Sequence, residues 1–106
     1  MIIAFNTPTL RRLCEDNSAA VARFGEQVGA GLRGRLADLR AAATIADLLV
    51  GRPRTGGPSN RELSLDLASG ASTLWIANHT KPRVDDAGMI DWSRTTYVQL
   101  MKIEVI

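Results

Sequence analysis

The stretch NSAAVARFGEQVGAGLRGRLADLRAAA, residues 17–43, decides how this chain folds. Within it Val21, Phe24, Val28, Leu32, Leu36, Leu39 and Ala43 recur at intervals of three and four, so at about 100° per residue they fall on one stripe. Asn17 and Ser18 offer an N-cap ahead of the stripe. The spacing predicts a long amphipathic helix that turns this stripe to a core and leaves Glu26, Arg33 and Arg40 on a solvated flank. Gly25, Gly29, Gly31 and Gly34 lie inside it at a propensity cost of about 1 kcal/mol each relative to Ala. Packing has to override that cost, and close approach of a neighbouring element is the expected reason. The run Gly29-Ala30-Gly31-Leu32-Arg33-Gly34 also spells G-x-G-x-x-G. A dinucleotide fingerprint needs a strand before it and a helix opening within it, whereas here the helical period runs straight through.

Working outward, Ile2 to Phe5 read as a short strand, stopped by Asn6-Thr7-Pro8, with Thr7 as N-cap and Pro8 at the first position of a short helix ending near Glu15. On the other side, residues 51–60 are dense in Gly and Pro and form a basic loop. Leu63, Leu65 and Leu67 then alternate with Glu62, Ser64 and Asp66, turn at Ser69-Gly70, and are answered by Ser72-Thr73-Leu74-Trp75-Ile76-Ala77, an antiparallel hairpin. A second loop spans about 78–93. A last strand covers about 96–105, with its alternation slipping between Leu100 and Met101; a bulge, or burial on both faces, accounts for that. The expectation is a single α+β domain over residues 1–106, two N-terminal helices packed on a small antiparallel β-sheet.

With 106 residues, 45% of them hydrophobic, the chain can bury a core without disulfides or metal. No apolar run approaches the roughly 20 residues of a membrane span. Met1 to Phe5 lack a basic n-region and cleavage site, which points to the cytoplasm. Cys14 is alone, consistent with a reducing compartment, and is read as a small buried residue. His79 is the only histidine and no cysteine pair exists, so no metal and no cofactor are expected. Asn78-His79-Thr80 reads as a polar turn. The net charge is +2, but residues 1–60 carry eight Arg against five acids, while residues 61–106 carry five basic residues against six acids. Eleven of the thirteen basic residues are Arg, the side chain suited to forked contacts with phosphate. The cations around the predicted sheet are Arg52, Arg54, Arg61, Lys81, Arg83 and Lys102, joined by His79. Such groups either hold RNA phosphates and stabilise a charged transition state without metal, or form a scattered solvated surface.

The opening Ile2-Ile3-Ala4-Phe5, the segment Leu36-Ala37-Asp38-Leu39-Arg40-Ala41-Ala42 with Ala46-Asp47-Leu48 after it, the strand Leu63-Ser64-Leu65-Asp66-Leu67, and above all Gly88-Met89-Ile90-Asp91-Trp92-Ser93 resemble, in order and spacing, the RelE/ParE toxin superfamily in its HigB-type "killer protein" branch. The resemblance covers nearly the whole chain. It implies the toxin of a bacterial type II toxin–antitoxin pair, neutralised by a HigA-like helix-turn-helix antitoxin, cutting mRNA on the ribosome by 2′-hydroxyl attack on phosphate without a cofactor. Arg54 matches the family's Arg in its Pro-Ala-Arg loop, and Arg61 is the nearest candidate for the basic residue opening the hairpin. On this reading Arg61, His79 and Tyr97 are the catalytic candidates, with Tyr97 or His79 moving the proton, and Arg52, Arg54, Lys81, Arg83 and Lys102 the RNA-binding ones. Two departures stand out: Thr73 occupies the family's Arg position in the second hairpin strand, and Ile103-Glu104-Val105-Ile106 replaces the closing Asp-Tyr-His. They motivate an alternative, a catalytically weakened toxin fold that binds an antitoxin. A ParE-like gyrase inhibitor is a third member of the same fold.

Overall fold

The expected long helix is two helices. The structure, a computed structural model, describes residues 1–68 and 70–105; Ser69 of the expected turn and the terminal Ile106 lie outside the described residues. After strand β1 (Ile2–Phe5), helix α1 (Pro8–Glu15) starts as the sequence predicts, with the Thr7 hydroxyl accepting the Leu10 N–H at 3.1 Å and Pro8 at the first position. Asp16, and neither Asn17 nor Ser18, caps α2 (Asn17–Phe24): its carboxylate accepts the N–H groups of Ser18 and Ala19. Gly25, at φ +90°, then breaks the chain before α3 (Glu26–Ala41). Among the described residues three α-helices therefore stand where two were expected. The stripe survives the break, since Val28, Leu32, Leu36 and Leu39 are buried, but α3 ends at Ala41, so Ala42 is buried and Ala43 exposed.

Two of the helix glycines answer to close packing. A Cβ on Gly29 would lie 3.0 Å from Val21 Cγ2, and one on Gly31 would lie 2.9 Å from the backbone nitrogen of Ala68. A Cβ on Gly34 would meet nothing within 4 Å. Opposite signs are therefore expected from two matched substitutions. Gly34→Ala recovers about 1 kcal/mol of helix propensity and raises the thermal midpoint by several degrees. Gly31→Ala forces α3 off the backbone at Ala68 and lowers it, a contrast that thermal unfolding followed by circular dichroism reads directly.

Among the described residues the sheet has five strands in the order β1-β5-β4-β3-β2. The predicted hairpin is present as β3 (Glu62–Asp66) and β4 (Ser72–Ala77), antiparallel in the register Leu63↔Trp75 and Leu65↔Thr73. Within the expected loop, Arg54–Gly56 forms β2, which folds back antiparallel on β3. The last strand, β5 (Tyr97–Glu104), pairs antiparallel with β4 and parallel with β1, so the sheet is mixed and not antiparallel throughout. The slip in its alternation is a bulge: Trp75 faces Leu100 and Leu74 faces Lys102, leaving Met101 as the extra residue.

One face of the sheet, carrying Leu63, Leu65, Thr73, Trp75, Ala77, Val98 and Leu100, is buried with Leu32, Leu36 and Leu39 of α3 in a continuous core. The other presents Glu62, Ser64, Asp66, Ser72, Leu74, Ile76, Tyr97 and Gln99, all half-buried. The Gly88-to-Ser93 motif is structural: Gly88 turns at φ +78°, Ile90 and Trp92 enter the core, Trp92 Nε1 donates to Asn60 O at 2.7 Å, and Asp91 accepts the Ser93 N–H. Among the described residues no helix is long and apolar enough to cross a membrane.

Candidate nucleic-acid interface

The strand register sorts the eight sequence-derived candidates into two groups. Arg54, Ser64, Leu74 and Lys102 form one row across β2, β3, β4 and β5. Three strand spacings of about 4.8 Å put the two cations roughly 14 Å apart on the outer face. Both are already matched. Asp66 takes Arg54 Nη2 at 2.9 Å on one oxygen and Arg52 Nε at 2.6 Å on the other, while Lys102 Nζ lies 2.6 Å from Glu104. The hydrogen bonds from Arg54 and then Arg52 hold the Asp66 carboxyl below its usual 3.8. The hydrogen bond and charge of Glu104 raise Lys102 above 10.5. Arg52 reaches Asp66 from a left-handed backbone, φ +46°, which costs a non-glycine residue about 1 kcal/mol. The Arg52–Arg54–Asp66 clamp lines an open cavity of about 440 Å³ with Leu67, Gly70, Ala71 and Ser72.

The second group gathers at the opposite end of β4. Arg61 precedes β3 and its Nε donates to Ala77 O at 3.4 Å, while the Asn78 N–H donates to Tyr97 O at 2.9 Å, so β4 hands the chain to the His79 loop beside the start of β5. There the His79 and Tyr97 rings meet edge to face, 6.2 Å between centroids. Arg83 Nη1 donates to Lys81 O at 3.1 Å, and the Arg83 charge acts on His79. Among the described residues Arg61, Lys81 and Arg83 have no carboxylate partner. Arg61, Lys81 and Arg83 can therefore meet an anion without first breaking an ion pair, with Glu62, Asp85 and Asp86 the acids nearest to them along the chain.

His79 is held in one tautomer. The Thr96 N–H donates to His79 Nε2 at 2.9 Å, so Nε2 is the unprotonated nitrogen and Nδ1 carries the hydrogen. Burial first, and the Arg83 charge second, push the imidazolium below the usual 6.5. Protonating Nε2 would forfeit the Thr96 bond. Because the folded value is the lower one, this contribution to stability is complete above 6.5 and is lost as the pH falls toward the folded value. Thermal unfolding from pH 8 down to 5 should show that loss in the wild type. It should be smaller in His79→Gln, whose amide oxygen can accept the same N–H at every pH.

Thr73 is not at a site. It is 1% exposed, its hydroxyl donates to Leu65 O at 3.1 Å and accepts Trp75 Nε1 at 2.7 Å, and it faces the helices. The correspondence that sets Thr73 opposite a family arginine would aim that arginine into the core; β4 turns Ser72, Leu74 and Ile76 outward. Sequence reasoning also missed Asp66, whose role as the double clamp only the β2–β3 pairing makes visible. Cys14 is inert by comparison, since burial pushes its thiol up to about 11.

Among the described residues the fold is α+β, three α-helices on a five-stranded mixed sheet, with Arg61, Lys81 and Arg83 outside any ion pair. No protein-family model matches the chain, and no curated protein and no solved structure matches it.

Proposed function

We propose that this chain is the toxin of a bacterial type II toxin–antitoxin pair, a HigB-like, metal-independent mRNA endonuclease acting on the ribosome in the cytoplasm and held in check by a helix-turn-helix antitoxin. The observation that carries the reading is that Arg61, Lys81 and Arg83, none of them in an ion pair, lie on the segments that flank the edge-to-face His79–Tyr97 pair. In this mechanism the three cations hold the phosphates on either side of the scissile bond. The 2′-hydroxyl oxygen attacks the adjacent phosphorus, the bond to the 5′-oxygen breaks, and the products are a 2′,3′-cyclic phosphate and a 5′-hydroxyl end. One proton leaves the attacking hydroxyl and one is returned to the leaving oxygen, with Tyr97 or His79 as the group that moves it. Arg52, Arg54 and Lys102 would join only by exchanging their carboxylates for phosphate.

One observation favours a second reading, a toxin fold that binds antitoxin or RNA without cutting. The lone pair that His79 would use as a base is already engaged by the Thr96 N–H. Inducible expression with and without the neighbouring open reading frame separates the two. Cleavage predicts growth arrest and new 5′ ends inside translated codons, relieved by the neighbour. Intact mRNA at high protein level, with tight co-purification of the neighbour's product, would leave only the binding reading.

A further inference from the structure

We propose that the chain self-associates through the open edge of β1, which pairs antiparallel with β1 of a second copy. The sheet ends at β1, and its inner edge is taken by β5: the Ile2 N–H donates to Thr96 O at 2.8 Å and the Asn6 N–H to Leu100 O at 2.9 Å. In a parallel ladder this register turns the backbone groups of residues 2, 4 and 6 toward β5 and those of Ile3 and Phe5 away from it. Among the described residues nothing hydrogen-bonds to the outward N–H and C=O groups of Ile3 and Phe5.

Natural edges are blunted by shortness, charge, proline, a bulge or a covering element, and of these the four-residue β1 has shortness alone. Ile2-Ile3-Ala4-Phe5 has no charge and no proline, and its register with β5 is unbroken. Ile2 is 62% exposed. The opposite edge of the sheet contrasts with it in charge and proline: β2 includes Arg54, clamped to Asp66, between Pro53 and Pro58. Only the β1 edge is left as a template.

The sequence of that edge is self-complementary about a two-fold axis through Ala4. Ile3 then lies opposite Phe5 of the other copy and exchanges both backbone hydrogen bonds with it, and Phe5 does the same with Ile3. All four outward donors of the pair are satisfied. Ile3 and Phe5 pack against the core of their own chain, so this register joins the two cores on the helix side. Ala4 meets Ala4, where a small residue on the axis lets the backbones close. An unrelated extended strand would satisfy the backbone groups but not this symmetric pairing of apolar side chains, which is why a second copy is the occupant.

Sedimentation equilibrium over a wide concentration range should show a monomer–dimer equilibrium. In a non-hydrogen-bonded antiparallel pair the two Ala4 Cα atoms are about 4.5 Å apart, within disulfide range. Ala4→Cys should therefore form a covalent dimer on mild oxidation, whereas Ile2→Cys, opposite Asn6 of the other copy, should not. Ala4→Lys should raise the dissociation constant by up to about fivefold, because like charges directly opposite repel, with an unchanged circular dichroism spectrum. If Ala4→Lys does not fold, the two cysteine variants decide. A protein that stays monomeric at every concentration, or a dimer in which Ala4→Cys cross-links no better than Ile2→Cys, overturns the proposal.

Discussion

Replacing Thr73 with arginine is expected to abolish folding, and the reason separates position in a strand from direction out of it. Thr73 is 1% exposed and its hydroxyl links Leu65 O to the Trp75 indole, itself fully buried. Arginine there would remove both hydrogen bonds, overfill a close-packed layer and bury a guanidinium with no acid supplied. Overpacking costs about 1–3 kcal/mol and an unpaired buried charge several more. The total stability of a domain is only about 5–15 kcal/mol. No cooperative thermal transition is expected for Thr73→Arg. Ser72→Arg, one residue away on the outer face between Asp66 and Glu104, should melt near the wild type. A folded Thr73→Arg protein with a midpoint within a few degrees of the wild type would mean that the strand direction is wrong. The experiment also bears on function: an arginine contributed by this strand has to come from Ser72, Leu74 or Ile76, so the lack of one at Thr73 is not evidence of a lost catalytic group.

Direction was in fact legible. Thr73 shares its phase with Trp75 and Ala77, and strict alternation places all three on one face. The same local signals gave the Thr7–Pro8 helix start, the leucines of β3 and the slip between Leu100 and Met101, for which a bulge was one of two explanations. Gly25 was harder to read because the apolar residues keep their helical spacing across it; a break that does not disturb phase leaves no mark in a periodicity. The parallel pairing of β1 with β5 joins the two ends of the chain, and nothing local in Ile2-Ile3-Ala4-Phe5 distinguishes a parallel partner from an antiparallel one. β2 was hidden by its glycine and the prolines around it, which read as loop until β3 supplies the partner that makes Arg54–Gly56 a strand.

The site was legible to a lesser degree, because charge in a sequence says nothing about pairing. Arg52, Arg54, Arg61, Lys81, Arg83 and Lys102 look alike as letters. What distinguishes them is Asp66, twelve residues beyond Arg54 and brought to it only by the β2–β3 register. Alternation put Asp66 opposite in phase to the leucines of β3, but the two-armed clamp needs β2 to fold back. The gathering of Arg61 with the 79–83 segment likewise depends on β3 and β4 placing Arg61 beside Ala77.

That pairing difference leads to the second large effect. Substituting Arg61, Lys81 and Arg83 together with alanine should lower affinity for single-stranded RNA by about two orders of magnitude, at about 1 kcal/mol for each exposed phosphate contact. It should also reduce the slope of log affinity against log salt by about 2, since each phosphate neutralised on a single strand contributes about 0.7. Arg52, Arg54 and Lys102 replaced together make the matched control. Each is already in an ion pair, two of them sharing Asp66 and the third on Glu104, so the three cations carry one net charge and the salt slope should change by about 0.7 or less, well below the change from the first set. Fluorescence anisotropy with a labelled RNA at several salt concentrations measures both quantities. Equal losses from the two triple variants would move the interface to the outer face as a whole. A loss confined to the control set would place it at the Asp66 clamp, with the phosphate displacing the carboxylate, and Arg61, Lys81 and Arg83 would then be no more than a solvated surface.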